Sequence, residues 1–154
     1  MAAGHLAAHP AVSRLRLSGI WETEPRESVG GGRFLNGAAA GGFSGTPLEL
    51  LAVCREAERL AGAPTEKHGA ARTLDVDLLC MEGVVRTAPP LVLPHPRLSS
   101  RRFVLLPLAE VWTGPVPGIG LTPAELLRSC PDDGGVVRVA DPPPDGVLWP
   151  GDPG

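Results

Sequence analysis

The sequence predicts an α+β fold, with helices packed on one face of a mainly antiparallel sheet. Three stretches carry that expectation. VSRLRLSGIWE, from Val12 to Glu22, alternates apolar and polar residues. A capped helix opens at Thr46, and RTLDVDLLC, from Arg72 to Cys80, alternates again. A period of two marks a strand, and spacings of three and four mark a helix. Read along the chain, the order is strand, strand, helix, strand, strand or loop, short helices, strand, which suits α+β layering.

Each element has its own reason. Met1–Ala8 reads as the end of a helix broken at Pro10. In the first strand Leu15 and Leu17 share one face and Arg14 and Arg16 the other, and the phase shifts at Gly19, where a bulge is expected. Thr23 to Arg33, with Pro25 and three successive glycines, reads as a loop. Phe34 to Phe43 (FLNGAAAGGF) reads as a second strand of small residues against which another backbone can lie close. Thr46-Pro47-Leu48-Glu49 combines an N-cap Thr, Pro at the first helical position and Glu at the third, a capping box. Leu50, Val53, Cys54, Ala57, Leu60 and Ala61 follow at helical spacing, and Gly62 is a natural stop.

Residues 63–71 form a second predicted loop, leading into RTLDVDLLC. There Leu74, Val76, Leu78 and Cys80 form one face, and Thr73, Asp75, Asp77 and Leu79 the other. Met81-Glu82-Gly83 is a turn and Val84–Arg86 a short return strand. Phe103–Val111 is an apolar helix or turn around Pro107. Thr122-Pro123-Ala124-Glu125 repeats the capping logic, and Val136–Val139 is a last strand. Asp141–Gly154, rich in Pro and Gly, reads as a flexible tail, with residues 1–140 as one domain.

The chain has 154 residues and 43% apolar content, enough for one domain with a core. Its net charge of −3 gives no electrostatic case for nucleic acid or an anionic membrane. No run approaches a transmembrane span, and the N-terminus is a poor signal peptide. Three widely spaced cysteines, without a CxxC motif, argue against a disulfide framework or a structural metal and fit a reducing, cytoplasmic setting.

Asp75 and Asp77 are the sharpest chemical feature. Two residues apart on a strand, their Cβ atoms lie roughly 6–7 Å apart on one face. Carboxylates that close repel unless a cation or water intervenes. Mg²⁺ takes one or two carboxylates and fills its octahedron with water and substrate phosphates. The competing reading is a solvated strand face, or pairing with Arg72 or Arg101. His95, set between prolines and followed by Arg97, Arg101 and Arg102, suits a phosphate clamp as well as a surface basic patch. Asn36, polar within FLNGAA, offers an amide to the edge of a heterocycle or to neighbouring backbone. Phe34, on the same face, and Phe103 offer rings for stacking as well as core packing. Glu58, on the helix, is by default solvated.

Taken together, F-L-N-x-A-A, T-P-L-E-L-L…E-x-E-R, A-R-T-L-D-V-D-L-L and L-P-H-P-R-L…R-R-F-V-L-x-P-L-A-E resemble the 6-hydroxymethyl-7,8-dihydropterin pyrophosphokinases of folate biosynthesis, over about Ser18 to Pro131. The resemblance implies a ferredoxin-like fold and transfer of pyrophosphate from ATP to the pterin hydroxymethyl group, leaving AMP. It implies that Asp75 and Asp77 ligate two Mg²⁺ ions bound with ATP. Asn36 and the Thr23 segment would then hydrogen-bond the pterin, with Phe34 and Phe103 sandwiching it. Glu58, Leu78, His95 and Arg101 would contact ATP, and Arg72 the phosphates or the closing loop. The expected partners are ATP and hydroxymethyl-dihydropterin, acting on a monomer without nucleic acid or membrane.

The resemblance also implies departures. The family's first strand and its G-S-N-L-G loop have no counterpart before Met1, so a truncated or divergent member is expected. The family's loop G-R-x-R-x-x-R-W-G-P-R-T-L-D reads G-A-P-T-E-K-H-G-A-A-R-T-L-D here, with Ala63 in place of the Arg after the first glycine and His68, before the second glycine, in place of the Trp. Arg55 stands where a Gln is frequent. Each lost arginine removes a charge-assisted clamp on the triphosphate, worth on the order of 10²–10³ in rate, so weakened or absent turnover is expected.

Overall fold

The computed structural model describes residues 2–23, 34–62, 74–132, 134–144 and 148–149. They form an α+β structure with antiparallel sheets, as the pattern predicts. In chain order the elements are α1 (Ala2–Ala8), β1 (Val12–Leu17), β2 (Ile20–Thr23), β3 (Phe34–Asn36), β4 (Ala39–Phe43), α2 (Pro47–Ala61), a 3₁₀ turn (Leu98–Ser100), α3 (Arg102–Val111), α4 (Pro123–Arg128) and β5 (Val136–Ala140).

The two long predicted strands are both present, and both are broken. β1 pairs with β4 in one sheet, whereas β2 lies between β3 and β5 in another. The breaks, Ser18–Gly19 and Gly37–Ala38, face each other. Ser18 N–H donates to Ala38 O at 2.8 Å, and the Ser18 hydroxyl accepts from Ala38 N–H at 2.8 Å. One antiparallel pair of chain segments is thus bent at a shared corner and contributes to two sheets. The expected bulge at Gly19 is this corner. A second irregularity falls between Ser13 and Arg16, where Arg14 takes φ 55°.

Both capping boxes form. Thr46 accepts from Glu49 N–H while the Glu49 carboxylate accepts from Thr46 N–H, and Thr122 and Glu125 repeat the exchange. Helix α2 runs from Pro47 to the Gly62 cap and buries Val53, Cys54 and Ala57. Helix α3 contains Pro107 and buries Leu105, Leu108 and Val111. These pack with Leu98, Val116, Leu126 and Ala38 as the main core, which α3 and α4 build against the strand corner.

RTLDVDLLC departs from expectation. Residues 74–78 alternate in exposure, Leu79 and Cys80 are both half-buried against the core, and none of 74–80 is in a strand. Among the described residues no neighbouring strand supplies a ladder. Side chains and one loop amide hold the backbone instead. Val76 N–H donates to Glu58, Val76 O accepts from Arg55, and Leu79 O accepts from His95 N–H at 2.7 Å. Alternation records which side of a segment meets apolar neighbours. It does not by itself record pairing. The return segment is reduced to the isolated bridges Met81–Val84 and Arg86–Leu93. Within the segment after β5, one described side chain is tied to the fold. Trp149 is half-buried, and its indole N–H donates to Ser18 O at 2.8 Å.

Candidate active site

One cavity of about 890 Å³ opens between the strand corner, α2, residues 74–82 and the start of α3. Apolar side chains and the small residues of β4 make most of its wall. Asn36, Asp75, Asp77, Leu78 and Phe103, each singled out from the sequence, line it.

Asp75 and Asp77 are exposed, and the residues on either side, Leu74, Val76 and Leu78, are half-buried. The segment therefore turns its apolar side inward and leaves both carboxylates to water. Helix α2 secures this arrangement. Glu58 Oε2 accepts from Val76 N–H at 2.7 Å, and Arg55 Nη1 donates to Val76 O at 3.1 Å and to Glu58 Oε1 at 2.9 Å. Both polar groups of the residue between the aspartates are gripped by two side chains one helical turn apart. Arg55 thus has a definite task here, and Glu58, expected to contact ATP, spends both carboxylate oxygens on Arg55 and Val76.

The donor set of Asp75 and Asp77 suits a hard cation. Among the described residues no group of three or more His, Cys, Asp or Glu side chains forms a ready metal cage. Two carboxylates with water and phosphate oxygens are, however, the usual environment of Mg²⁺. The residues present therefore fit a magnesium ion that arrives with a polyphosphate.

Asn36 sits on β3 beside the Gly37–Ala38 break. Its Nδ2 donates to Thr23 Oγ1 at 3.4 Å, and Thr23 donates to Phe34 O at 3.3 Å. Thr23 thus bonds the amide from outside the cavity lining, which Asn36 itself reaches. Phe103 stands at the start of α3 with the Arg101 guanidinium 5.6 Å from its ring centroid, within cation–π range. Phe34 is 60% exposed and is not part of the lining. A Phe34–Phe103 sandwich is therefore not assembled here.

His95 is tied to the same segment. Its N–H donates to Leu79 O, and its Nδ1 accepts from Arg97 N–H at 3.1 Å. With Nδ1 used as an acceptor, the neutral ring carries its proton on Nε2, which makes Nε2 a donor suited to a phosphate oxygen. His95, Arg101 and Glu58 do not line the cavity. Arg72, Ala63, Lys67 and His68 lie outside the described residues.

Cys54 and Cys80 also line the cavity, as thiols without a disulfide. Burial pushes Cys54 up to about 11, with Arg55 opposing and Glu58 and Asp77 reinforcing the shift. Burial pushes Cys80 up to about 11 as well, with Glu82 adding to it. Neither is a thiolate near neutral pH, so neither is a nucleophile there.

Sequence reasoning passed over Glu110 and Trp149. Glu110 on α3 accepts from Gly19 N–H at 2.8 Å, from Trp21 Nε1 at 3.1 Å and from Arg138 at 2.9 Å. The apolar run FVLLPLAEV suggests only core packing for its element. No local signal marks this long-range polar junction.

The model of the family described as 7,8-dihydro-6-hydroxymethylpterin-pyrophosphokinase matches residues 1–113. The chain is also similar to proteins named 2-amino-4-hydroxy-6-hydroxymethyldihydropteridine pyrophosphokinase. The one from Methylorubrum extorquens is 38% identical over 135 residues, covering 88% of this chain and 84% of the relative. That from Bacillus subtilis is 37% identical over 106 residues, 69% of this chain and 64% of the relative. That from Pseudomonas aeruginosa is 31% identical over 129 residues, 81% of this chain and 77% of the relative.

Proposed function

The chain belongs to the 7,8-dihydro-6-hydroxymethylpterin-pyrophosphokinase family, and from that premise we propose how its residues perform the transfer. The reaction moves pyrophosphate from ATP to 6-hydroxymethyl-7,8-dihydropterin. The hydroxyl oxygen bonds to the β-phosphorus, the bond from that phosphorus to the oxygen bridging to the α-phosphate breaks, and AMP leaves. The hydroxyl proton passes to solvent.

The observation that carries the reading is the convergence of Asn36, Asp75, Asp77 and Phe103 on one cavity. Asn36 presents its amide oxygen to the pterin edge and Phe103 its ring to the pterin face. Asp75 and Asp77 would hold two Mg²⁺ ions arriving with ATP, and the metal would supply charge neutralisation of the polyphosphate for in-line displacement. Glu58 and Arg55 position the aspartates through Val76. His95 Nε2 and the Arg101 guanidinium serve the ATP phosphates from outside the apolar part of the cavity, and Arg72 serves the phosphates as well. The chain acts as a monomer on small molecules in the cytoplasm. No helix among the described residues is long and apolar enough to cross a membrane.

The test is AMP formation from ATP that requires hydroxymethyl-dihydropterin and Mg²⁺. Absence of AMP from folded protein overturns catalysis. The second reading, a pterin- or nucleotide-binding module without turnover, is favoured by the side-chain tethering of residues 74–80 in place of a strand ladder. Calorimetric titration with a non-hydrolysable ATP analogue and pterin separates the two. Binding without AMP supports the module, and binding with AMP supports the enzyme.

A further inference from the structure

We propose that Trp149, carried by the segment after β5, is an aromatic wall of the pterin pocket and a positioning residue for the heterocycle; this rests on the pterin reading above. The indole lines the same cavity as Asn36 and Phe103. Its Nε1 donates to Ser18 O at 2.8 Å, at the corner where the two sheets part. Ser18 is fully buried, and its hydroxyl and N–H are already engaged with Ala38 and Gly19. The indole is therefore fixed to one of the best-tied points of the molecule.

Gly37, immediately after Asn36, makes this seat. A Cβ there would lie 2.7 Å from Cζ2 and 3.1 Å from Cη2 of the Trp149 ring. Real carbon atoms do not approach that closely, so any side chain at 37 displaces the indole. The ring thus rests on the backbone of the residue next to the pterin-recognising amide. Because its N–H is already used on Ser18, the indole brings the cavity aromatic surface and no donor. That is the chemistry needed to stack a flat heterocycle. Phe34, 60% exposed, lies outside this lining. Holding the segment after β5 in place costs backbone entropy, which the buried indole contact and its hydrogen bond offset.

The test uses the full chain with 6-hydroxymethylpterin, a non-hydrolysable ATP analogue and Mg²⁺. Stacking on an aromatic side chain is typically lost on truncation to Ala, so Trp149→Ala weakens pterin binding on the order of ten- to a hundredfold. Trp149→Phe recovers most of the loss, and the affinity for the ATP analogue moves by less than about twofold. Gly37→Ala gives the same selective loss with the indole intact but unseated. In AMP formation the defect falls on the KM for pterin and spares kcat. Unchanged pterin binding in Trp149→Ala, or equal losses for pterin and nucleotide, overturns the role of Trp149 while the pterin reading stands. Wild-type protein that binds the ATP analogue and not the pterin overturns the pterin reading, and this proposal with it.

Discussion

The carboxylate of Glu58 accepts the backbone N–H of Val76 at 2.7 Å, so helix α2 holds the chain at the residue between Asp75 and Asp77. Arg55, three residues earlier on the helix, takes the carbonyl of the same residue. In a sheet, ladder bonds fix the direction of alternate side chains. Here two side chains do so. Glu58→Ala removes the acceptor and leaves Arg55 without its ion-pair partner. A hydrogen bond to a charged group contributes about 1.5–3 kcal/mol, and the partial exposure of this one puts the stability loss near the lower end. The rate falls further, because a displacement of about 1 Å at a reacting centre costs on the order of 10²-fold. Glu58→Gln keeps one acceptor and lies between. Urea denaturation and AMP formation on the same variants check both effects. A rate loss no larger than the stability loss accounts for would remove Glu58 from its positioning role.

Asp75 and Asp77 give the opposite pattern. Both are exposed, and as like charges they gain nothing from each other. Asp75→Asn and Asp77→Asn therefore leave stability within about 0.5 kcal/mol of wild type, as surface changes do. On the proposed reading each substitution removes a ligand for the cation that balances the triphosphate, and AMP formation falls on the order of 10²–10³-fold or more. Raising the Mg²⁺ concentration partly rescues either single variant and not the double variant. Full activity in either single variant would place the phosphate site elsewhere.

The thiols predict a one-sided pH dependence. Cys54 and Cys80 are each raised to about 11 in the folded chain from an ordinary value of 9.0. Between those values the unfolded chain has released the thiol proton and the folded chain has kept it. Stability is then full below about pH 9 and falls as pH rises towards 11. Cys54→Ala and Cys80→Ala each flatten that alkaline decline, seen as denaturation midpoints at pH 8, 9 and 10. The same burial keeps both thiols slow towards alkylating reagents at neutral pH. Rapid labelling of Cys54 in folded protein would contradict its buried position.

Local chemistry was legible in the chain, and long-range closure was not. Thr46 and Thr122 announce their helices because a capping box lies within four consecutive residues. The faces of residues 74–78 were legible because apolar alternation is local too, whereas Leu79, expected beside the aspartates, packs with Cys80 against the core. The segment's lack of a ladder was not legible, since pairing depends on what stands alongside. Gly19 marked a break, but only its partner at Gly37–Ala38 shows that the break is a corner shared by two sheets. For the candidate site, Asn36, Asp75, Asp77 and Phe103, singled out by residue type and spacing, line one cavity. Phe34 lies outside that lining, because its alternation with Asn36 says nothing of which side the cavity occupies. Trp149 gave no signal, because its hydrogen bond reaches 131 residues back along the chain, from a segment whose composition reads as disordered.

Glu110 ties that shared corner to β5, and its three bonds can be separated by mutation. Oε1 accepts from Gly19 N–H and Trp21 Nε1, and Oε2 accepts from Arg138. The guanidinium of Arg138 also lies 5.9 Å from the Trp21 ring centroid. Glu110→Gln keeps an oxygen for Gly19 and Trp21 and gives up the ion pair. The Arg138 side chain is 41% exposed, so that pair is solvent-screened and its loss costs less than about 1 kcal/mol. Glu110→Ala leaves two part-buried donors without their acceptor, at about 1–3 kcal/mol for each such group. The order of stability is therefore wild type, Arg138→Ala close to Glu110→Gln, and Glu110→Ala well below. Gly19 itself admits no side chain, because a Cβ there would collide with Ala140 O. If Glu110→Gln proved as unstable as Glu110→Ala in urea, the charge and not the acceptor geometry would be what holds the corner to β5.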